Sequence, residues 1–385
     1  MPKNVNLINT PNTHPYIRVR DLNDSITLEL NKDFLYVDDE TQKGISRYIV
    51  NTGDVVISIV GTIGLVAKVG KTLDGANLTE NCVKITNLQN VDRDYLFYYL
   101  KSNFGQQEIM RGIVGAVQQK LPIKNIQEMT LKYPELMEQK KIAAILSALD
   151  EKIATNRAIN DNLALQMQTI WENLFCSEME SGNRVNLGDY LYIKGRIGWK
   201  GLKKEEYLSE SPYRIINGES LTTNGIDWSK AGFISENRYN ESPEIMLQIG
   251  DILISKDGTI GKVGYIDKLD KPTSVASGIF VVRNLKPEMV STIFIYCLLT
   301  SSYFKEFIAS RTEGSVIPHL YQKDFVTLEV PLLSEKQLRC FDDTVTPLFN
   351  MYFANQQENQ RLSGVRNVLL PKLISGEIDV SITKF

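Results

Sequence analysis

Basic and amide side chains that can hydrogen-bond phosphates and base edges are the main chemical feature of this sequence. They are densest in residues 192–204, where Lys194, Arg196 and Lys200 stand among tyrosine, tryptophan and glycine. Arginine and lysine can contact phosphate and guanine, and glutamine can contact adenine at two points. A solvated surface loop would have a similar composition and stays open as an alternative. The candidate nucleic-acid contacts are Arg18, Arg20, Gln118, Gln119, Lys120, Lys194, Arg196, Lys200, Lys203, Arg214, Arg311, His319, Gln322 and Lys323.

Residues for catalysis, metal binding or cofactor binding are few. The only histidines are His14 and His319, which leaves little material for histidine pairs or a Ser-His-Asp relay. The four cysteines are scattered, so we expect buried thiols rather than disulfides or a zinc site. Residues 258–262, GTIGK, resemble the end of a phosphate-binding loop, but Val263 follows where a magnesium-binding Ser or Thr is required. We therefore predict no catalytic site, metal or cofactor in this chain.

The overall charge and hydropathy limit the class of protein. With 43 Lys and Arg against 46 Asp and Glu, the net charge of -3 argues against indiscriminate nucleic-acid binding. It leaves room for local basic patches or for a cationic partner. The longest apolar stretch, residues 55–69, is too short and interrupted to span a bilayer, and the first ten residues lack an export signal. We expect a cytoplasmic protein with no membrane contact.

An internal repeat organises the chain. Sliding one half past the other by about 197 to 199 positions aligns PYIRVRDL at Pro15 with PYRIINGESL at Pro212. It also aligns GDVVISIVGTIG at Gly53 with GDILISKDGTIG at Gly250, and the Pro-to-Gly spacing is 38 residues in both halves. We read the GTIG runs as glycine turns between strands, with close approach of their backbone to a DNA phosphate as an alternative.

Each half ends in a predicted long helix with a strict apolar repeat. The spacing of 4, 3, 4 and 3 residues is typical of a coiled-coil seam. In the first helix the seam is Ile142, Leu146, Leu149, Ile153, Asn156, Asn160, Leu163, Met167, Ile170 and Leu174, and it recurs 199 residues later. In the second helix, Asn355 and Asn359 occupy the positions equivalent to Asn156 and Asn160. Buried seam asparagines fix register, so we predict that the two helices pair antiparallel with these asparagines near one another.

Three details of the helices leave alternatives open. Both could be ordinary amphipathic helices, each packed only on its own domain. Pro347 falls inside the second one, so that helix is expected to start or bend there. Residues 150–152, Asp-Glu-Lys, resemble part of a nuclease motif, but a solvated helix face explains them better.

These patterns together predict an α+β protein with two similar domains. The domains are separated by two long helices that form an antiparallel coiled coil with pseudo-twofold symmetry. We expect a first domain over 1–134, a helix over 135–177, a second domain over 178–332, and a helix with a C-terminal tail over 333–385. Helical stretches are also expected over 94–111 and 289–310, after the strands of each domain.

The motifs resemble the specificity subunits of type I restriction-modification systems. The resemblance rests on PELMEQKKIAAILSALDEKI at 134–153, LLPKLISGEI at 369–378 and the repeated GTIG segments, and it extends over nearly the whole chain. It implies two target-recognition domains that each bind half of a split site in double-stranded DNA. It also implies that the long helices dock two methyltransferase subunits, which bind S-adenosylmethionine, and that a motor-nuclease subunit joins for cleavage.

One departure from the family concerns the first domain. In the second domain about 25 residues, Arg184 to Glu210, which include LGDYLYIKGRIG, stand ahead of the Pro212 block, whereas the first domain has 14 residues before Pro15. The first domain is therefore expected to be shortened or to obtain the equivalent segment from elsewhere. A second class of function, a two-headed scaffold for protein partners, is also compatible with the repeat.

Overall fold

A computed structural model describes residues 7–22, 26–181, 183–197, 201–312, 319–326 and 328–380 of this chain. The chain divides into two compact units: Met1–Ala154 with Arg361–Phe385, and Thr155–Gln360. We call them unit 1 and unit 2. Domain 1 is the part of unit 1 that precedes residue 136, and domain 2 is the part of unit 2 over residues 184–331.

Domain 1 is built from short strands followed by short helices. Its elements are β1 Pro15–Ile17, β2 Thr27–Leu28, β3 Leu35–Tyr36, α1 Asp39–Gly44, β4 Val55–Ser58, β5 Val66–Val69, β6 Asn77–Leu78, β7 Cys82–Ile85, α2 Arg93–Lys101, α3 Asn103–Arg111 and α4 Ile123–Gln127. The first long helix, α5, covers Leu136–Ser181.

Domain 2 repeats this order with additional strands. Its elements are β8 Arg184–Asn186, β9 Leu191–Gly195, β10 Tyr213–Ile216, β11 Leu221–Thr222, β12 Gly225–Ile226, β13 Gly232–Ile234, α6 Glu236–Asn240, β14 Ile252–Ser255, β15 Val263–Tyr265, β16 Thr273–Val275, β17 Ile279–Asn284, α7 Thr292–Thr300, α8 Ser302–Thr312, α9 Gln322–Val326 and β18 Glu329–Pro331. The second long helix, α10, covers Glu335–Ser375.

The two domains share the pairing of the small sheet and of the central strands of the larger sheet. In domain 1, β1 pairs antiparallel with β3 and parallel with β6, and in domain 2, β10 pairs in the same senses with β13 and β16. The larger sheets have the order β2-β5-β4-β7 and β15-β14-β17-β9. Their central strands, VVIS and ILIS, are completely buried, as β-branched and aliphatic runs favour. The predicted α+β class with two similar domains is confirmed.

The GTIG runs form the turns that connect β4 to β5 and β14 to β15. In domain 1 the Ser58 hydroxyl donates to the Thr62 carbonyl at 2.6 Å and accepts from the Leu65 amide at 2.9 Å. Ser255 makes the matching bonds in domain 2, at 2.7 and 2.8 Å. Gly261 has a φ of +85°, and a Cβ there would lie 2.9 Å from Ile308, so only glycine fits. The turns therefore have a structural role in both domains.

Each predicted single helix after the sheet is in fact two helices. The breaks fall at Ser102 and Ser301, whose hydroxyls each donate to a carbonyl of the preceding helix at 2.6 Å. The same hydroxyls accept from the amides of Gly105 and Phe304, at 3.3 and 3.2 Å, and so begin α3 and α8. A serine that caps one helix while ending another explains why the apolar pattern continued across the break.

The larger sheet has a different edge in each domain. In domain 2, β9 pairs antiparallel with β17 over five residues, from Phe280 opposite Gly195 to Asn284 opposite Leu191. In the described part of domain 1, β7 ends its sheet and pairs only with β4. Within the segment LGDYLYIKGRIG, which has no counterpart before domain 1 in the sequence, residues 191–195 therefore form an edge strand of domain 2.

The two long helices pair antiparallel in each unit. In unit 2, Asn156 meets Asn359 and Asn160 meets Asn355, so residue numbers fall along one helix as they rise along the other. All predicted seam positions of both helices are buried or half-buried. The helix α10 runs through Pro347 without interruption, so the expectation that it starts there is wrong. Pro347 is exposed, and water can therefore bond the carbonyl that lost its helical partner.

The cysteines do not all behave as predicted. Cys82 and Cys297 are buried, in agreement with the expectation, whereas Cys176 and Cys340 are exposed. The exposed pair lies on the long helices, next to seam positions rather than on them, so the side chains face away from the seam. Within the described ranges, no helix is both long and apolar enough to cross a membrane.

Candidate nucleic-acid interface

A cleft of about 440 Å³ opens at one end of the larger sheet of domain 2. The strand register explains why its residues meet: Phe280 pairs with Gly195, and Ile279 pairs with Ser255, so the end of β9, the start of β17 and the end of β14 share one edge. The start of α9 completes the wall. The lining residues are Lys194, Gly195, Arg196, Ile197, Glu244, Lys256, Phe280, His319, Tyr321 and Gln322.

Lys256, Asp257 and His319 form the polar centre of this end of the sheet. The Lys256 ammonium lies 3.3 Å from an Asp257 oxygen and 5.5 Å from the centre of the Phe280 ring. Nδ1 of His319 donates to the other Asp257 oxygen, because a carboxylate can only accept. The Leu320 amide donates to the Lys256 carbonyl at 3.2 Å, which ties the start of α9 to the end of β14. The histidine ring is thus held in one orientation at the cleft.

Arg196 lines the cleft but is buried and fixed by hydrogen bonds within domain 2. Only 3% of the residue is exposed, and its guanidinium donates to the Val275 carbonyl and to the hydroxyls of Ser242 and Ser274, at 3.2 to 3.5 Å. Burial, and then the positive charge of Arg238, lower the pKa of Arg196. The arginine therefore joins β9 to β16, and its role in DNA contact stays a prediction.

Two further predicted arginines lie in ion pairs within their own domains. Arg18 donates to both oxygens of Asp21 at 2.9 Å, and its side chain is 15% exposed. Arg214 donates to both oxygens of Asp270, at 2.7 and 3.1 Å, and lies over the Trp228 ring. Hydrogen bonds from Arg214 lower the pKa of Asp270. These arginines have structural partners, which the sequence could not reveal.

The remaining candidates are dispersed. The structure brings Lys194, Arg196, His319 and Gln322 to the cleft, whereas Lys203, Arg311 and Lys323 are exposed outside its lining. Arg20, with a side chain 68% exposed, lies in a separate depression with acidic neighbours. Lys200 lies outside the described residues.

Domain 1 has an apolar counterpart of this centre. The Leu121 amide donates to the Ile59 carbonyl at 2.9 Å, as Leu320 does to Lys256, so Lys120 occupies the position of His319. Val60 stands where domain 2 has Asp257 and pairs with Lys120.

The loop that precedes Lys120 projects amide side chains. Val114 and Lys120 exchange backbone hydrogen bonds at 2.9 and 3.0 Å, which closes the loop, and Gln118 and Gln119 are exposed on it. Val117, at its tip, is 96% exposed. A Cβ on Gly115 would lie 2.4 Å from the Gln118 carbonyl, so glycine is required for this closure.

Sequence reasoning missed Lys256, Glu244, Phe280 and Tyr321. A signal for Lys256 was present: the aligned segments agree on GTIG but differ immediately before it, with Ile59 and Val60 in one half and Lys256 and Asp257 in the other. Divergence next to a shared turn indicates residues that vary between two similar sites. Phe280 lies in the apolar run 277–285, which predicts only a strand, and nothing in the sequence placed Glu244 at the cleft.

The seam asparagines hydrogen-bond across the helix pair in unit 2. Nδ2 of Asn156 donates to Oδ1 of Asn359 at 3.0 Å and to Glu358 at 2.7 Å. Nδ2 of Asn355 donates to Oδ1 of Asn160 at 2.9 Å. Asn156 is completely buried, so a shift in register would leave its amide without these partners.

Metal binding has no evident site in what the structure describes. There, no group of three His, Cys, Asp or Glu side chains is placed to hold a metal ion. The fold defines a class of protein in which a duplicated binding domain is combined with a pair of long antiparallel helices.

Comparisons with known proteins identify the family. The family model described as "Type I restriction modification DNA specificity domain" matches residues 1–165 and 185–340. The chain is 23% identical to the type I restriction enzyme MjaVIII specificity subunit of Methanocaldococcus jannaschii, over 97% of this chain and 88% of that protein. It is 25% identical to the putative MjaX specificity subunit of the same organism, over 95% and 88%.

A solved structure has a similar fold. The crystal structure of a type I restriction-modification system S subunit from M. genitalium aligns with a TM-score of 0.55 and 19% identity, over 97% of both chains. The chain belongs to the type I restriction-modification DNA specificity family. Proteins of this family are non-catalytic subunits that recognise DNA and assemble with the other subunits of a restriction-modification complex. The predicted family is confirmed.

Proposed function

We propose that this chain recognises a split, asymmetric DNA site, with one half bound by each domain. The observation that carries the proposal is the matched pair of sheets with different side chains at the same edge. Domain 2 presents Lys256, Asp257 and His319 where domain 1 presents Ile59, Val60 and Lys120. Two copies of one scaffold with unlike contact residues suit a target whose halves differ in sequence.

The contacts are assigned by position at the cleft in domain 2 and by exposure in domain 1. In domain 2 we propose Lys194, Lys256 and Gln322 as groups that reach DNA, with His319 held by Asp257. In domain 1 we propose Gln118, Gln119 and Lys120, because the closed loop presents them to solvent. Arg18 and Arg214 would act indirectly, by holding the backbone of each domain.

Catalysis belongs to partners in this proposal. Two methyltransferase subunits, which bind S-adenosylmethionine, would dock on the long helices and modify the target, and a motor-nuclease subunit would cleave unmodified DNA. The relatives are specificity subunits of type I restriction enzymes, which supports such an assembly.

The helices would set the distance between half-sites. The seam over residues 142–174 is about 33 residues, or about 50 Å at 1.5 Å per residue. Two domains that approach one face of a duplex read half-sites about one helical turn, or about 10 base pairs, apart. Buried asparagines that fix register would keep that spacing constant.

The decisive experiment is a methylome of cells that carry this chain with its cognate methyltransferase. We expect methylation at one bipartite motif with a fixed spacer. A contiguous motif, or no methylation by an assembled complex, would overturn the proposal. Loss of duplex affinity in the same complex would favour the alternative of a scaffold for protein partners.

A second experiment isolates the role of the helices. Seven residues inserted at matched positions in α5 and α10 preserve the heptad phase while lengthening both helices. We expect a longer spacer, or loss of recognition, with both half-sites unchanged. An unaltered spacer would refute the measuring role.

A further inference from the structure

Glu244 is an acidic residue in the otherwise basic cleft of domain 2. It lies in the 3-10 turn Pro243–Ile245, and its carbonyl accepts a hydrogen bond from the Tyr192 hydroxyl at 2.9 Å. Because Tyr192 belongs to β9, this bond fixes the turn against the sheet edge that forms the cleft. Glu244 lines the cleft together with Lys194 and Lys256.

One carboxylate oxygen of Glu244 is buried and unpaired. Within the residues that the structure describes, Oε1 has no hydrogen-bond partner. The neighbouring guanidinium of Arg196 is occupied with Val275, Ser242 and Ser274. A buried acceptor without a donor costs free energy, so a ligand that supplies a donor there gains more than the same contact in water.

The charge of Glu244 restricts what that ligand can be. A carboxylate only accepts hydrogen bonds, and it repels phosphate, so the part of the cleft beside Glu244 disfavours the DNA backbone. In the major groove the donors are the exocyclic amines of cytosine and adenine, and carboxylates pair typically with N4 of cytosine. The guanine of the same base pair offers two acceptors, O6 and N7, which match the ammonium groups of Lys194 and Lys256. A cleft lined by one acid and two lysines is thus complementary to a C·G pair.

We propose that Glu244 determines specificity by accepting a hydrogen bond from the exocyclic amine of a cytosine in the half-site of domain 2. The proposal rests on the proposed function and adds a base and a residue to it. Within one half-site it predicts a required C·G pair at the position that enters the cleft.

The protein-side test compares methylation of randomised duplexes by the full chain with its methyltransferase. Glu244→Gln keeps the shape but adds a donor and removes a charge, and glutamine pairs with adenine. We expect the preference for cytosine at one position to fall by about tenfold or more, with adenine gaining, while the other half-site is unchanged. The matched control is Glu210→Gln, an exposed acid of domain 2, which should leave both half-sites unchanged.

The DNA-side test uses the unmodified protein, so folding of a variant plays no part. The cytosine is replaced by 2-pyrimidinone, which lacks the exocyclic amine, and affinity is expected to fall by about tenfold. Three outcomes would overturn this inference: unchanged affinity for the substituted duplex, an unchanged motif for Glu244→Gln, or a wild-type half-site that requires no cytosine. Each of them would leave the proposed split-site function intact. Absence of any bipartite recognition by the wild-type complex would instead refute the proposed function.

Discussion

In unit 1 the buried carboxylate of Asp150 accepts hydrogen bonds from Tyr98 at 2.6 Å and from Arg366 at 2.7 Å. In unit 2 the position equivalent to Asp150, 199 residues later, is Phe349, which packs edge-on against Tyr296 at 5.2 Å. The equivalent of Arg366 is Met167, which is also buried. The same helix register thus accommodates an ion pair in one unit and an aromatic cluster in the other.

At the sheet edges the polar residues are in domain 2 and the apolar residues are in domain 1, the reverse of the arrangement on the helices. Domain 2 places an ion-paired lysine and an acid-held histidine at its edge, whereas domain 1 places the aliphatic Ile59 and Val60 there. Repeated scaffolds therefore preserve hydrogen bonds of the backbone and exchange side-chain chemistry. Five measurements can break or sharpen this comparison.

The largest effect is expected in the aromatic cluster of unit 2. Phe349 is 4% exposed and lies within 5.2 Å of the rings of Tyr265, Tyr296 and Phe353. Phe349→Ala should lower the free energy of unfolding by about 3 to 5 kcal/mol because it leaves a cavity. Urea denaturation with hydrogen exchange of α7 measures it, and Met351→Ala, on an exposed face of α10, should change it by less than about 0.5 kcal/mol. A small loss for Phe349→Ala would contradict the packing role.

The ion pair of unit 1 should contribute somewhat less to the free energy of unfolding than the aromatic cluster of unit 2. Arg366→Ala leaves the 5%-exposed Asp150 without its counter-charge, but the arginine side chain is 24% exposed, so we expect a loss of about 2 to 3 kcal/mol. The double variant Asp150→Phe with Arg366→Met introduces the equivalent residues of unit 2, and it should recover most of the lost stability. If the double variant is as unstable as both single changes combined, the two seams are not interchangeable.

DNA affinity tests the sheet edges. Lys256→Ile gives domain 2 the residue of domain 1, and we expect binding to weaken about tenfold through loss of one charge-assisted contact. Fluorescence anisotropy with the cognate duplex measures it. Lys286→Ile is the control, because that exposed lysine follows the opposite end of β17. Equal weakening by both variants would indicate a general charge effect rather than a local site.

The smallest effect is expected in a count of the reactive thiols of the native protein. At pH 8, Cys176 and Cys340 should react with a thiol reagent in the folded protein, whereas Cys82 and Cys297 react only in denaturant. Burial raises the pKa of both the Cys82 and the Cys297 thiol to about 12, from 9.0.

Alkaline stability follows from the same two thiols. A raised folded-state pKa gives stability that is fully present below about pH 9 and is lost as the pH rises towards about 12. Cys297→Ala should flatten this decline in the free energy of unfolding. In the thiol count described above, four reactive thiols in the native state would contradict the burial of Cys82 and Cys297.

Much of the fold could be predicted because repeats and seams are local patterns. The 4, 3 spacing and the matched asparagines predicted both long helices and their contact, since side chains at that spacing share one helix face. The paired strands followed from apolar runs bounded by glycine. The breaks at Ser102 and Ser301 could not be predicted from periodicity, because a capping serine interrupts the hydrogen bonds and not the apolar pattern.

The candidate site was predicted only in part. Lys194, His319 and Gln322 were chosen for their chemistry and lie at the cleft. Arg18 and Arg214 were chosen for the same chemistry and lie in ion pairs with Asp21 and Asp270. Residue type indicates what an arginine can bind, but its partner depends on which acids the folded chain brings within hydrogen-bond distance.

The sequence by itself determined the duplication, the register of the two helices and the family, since each is carried by residues close together in the chain. Only the tertiary structure decided which polar residues face a cleft and which are held inside. The strand register that brings Gly195, Ser255 and Phe280 to one edge joins segments far apart in sequence. Glu244 and Lys256 became candidate contacts only there, because burial and proximity are properties of the packed chain.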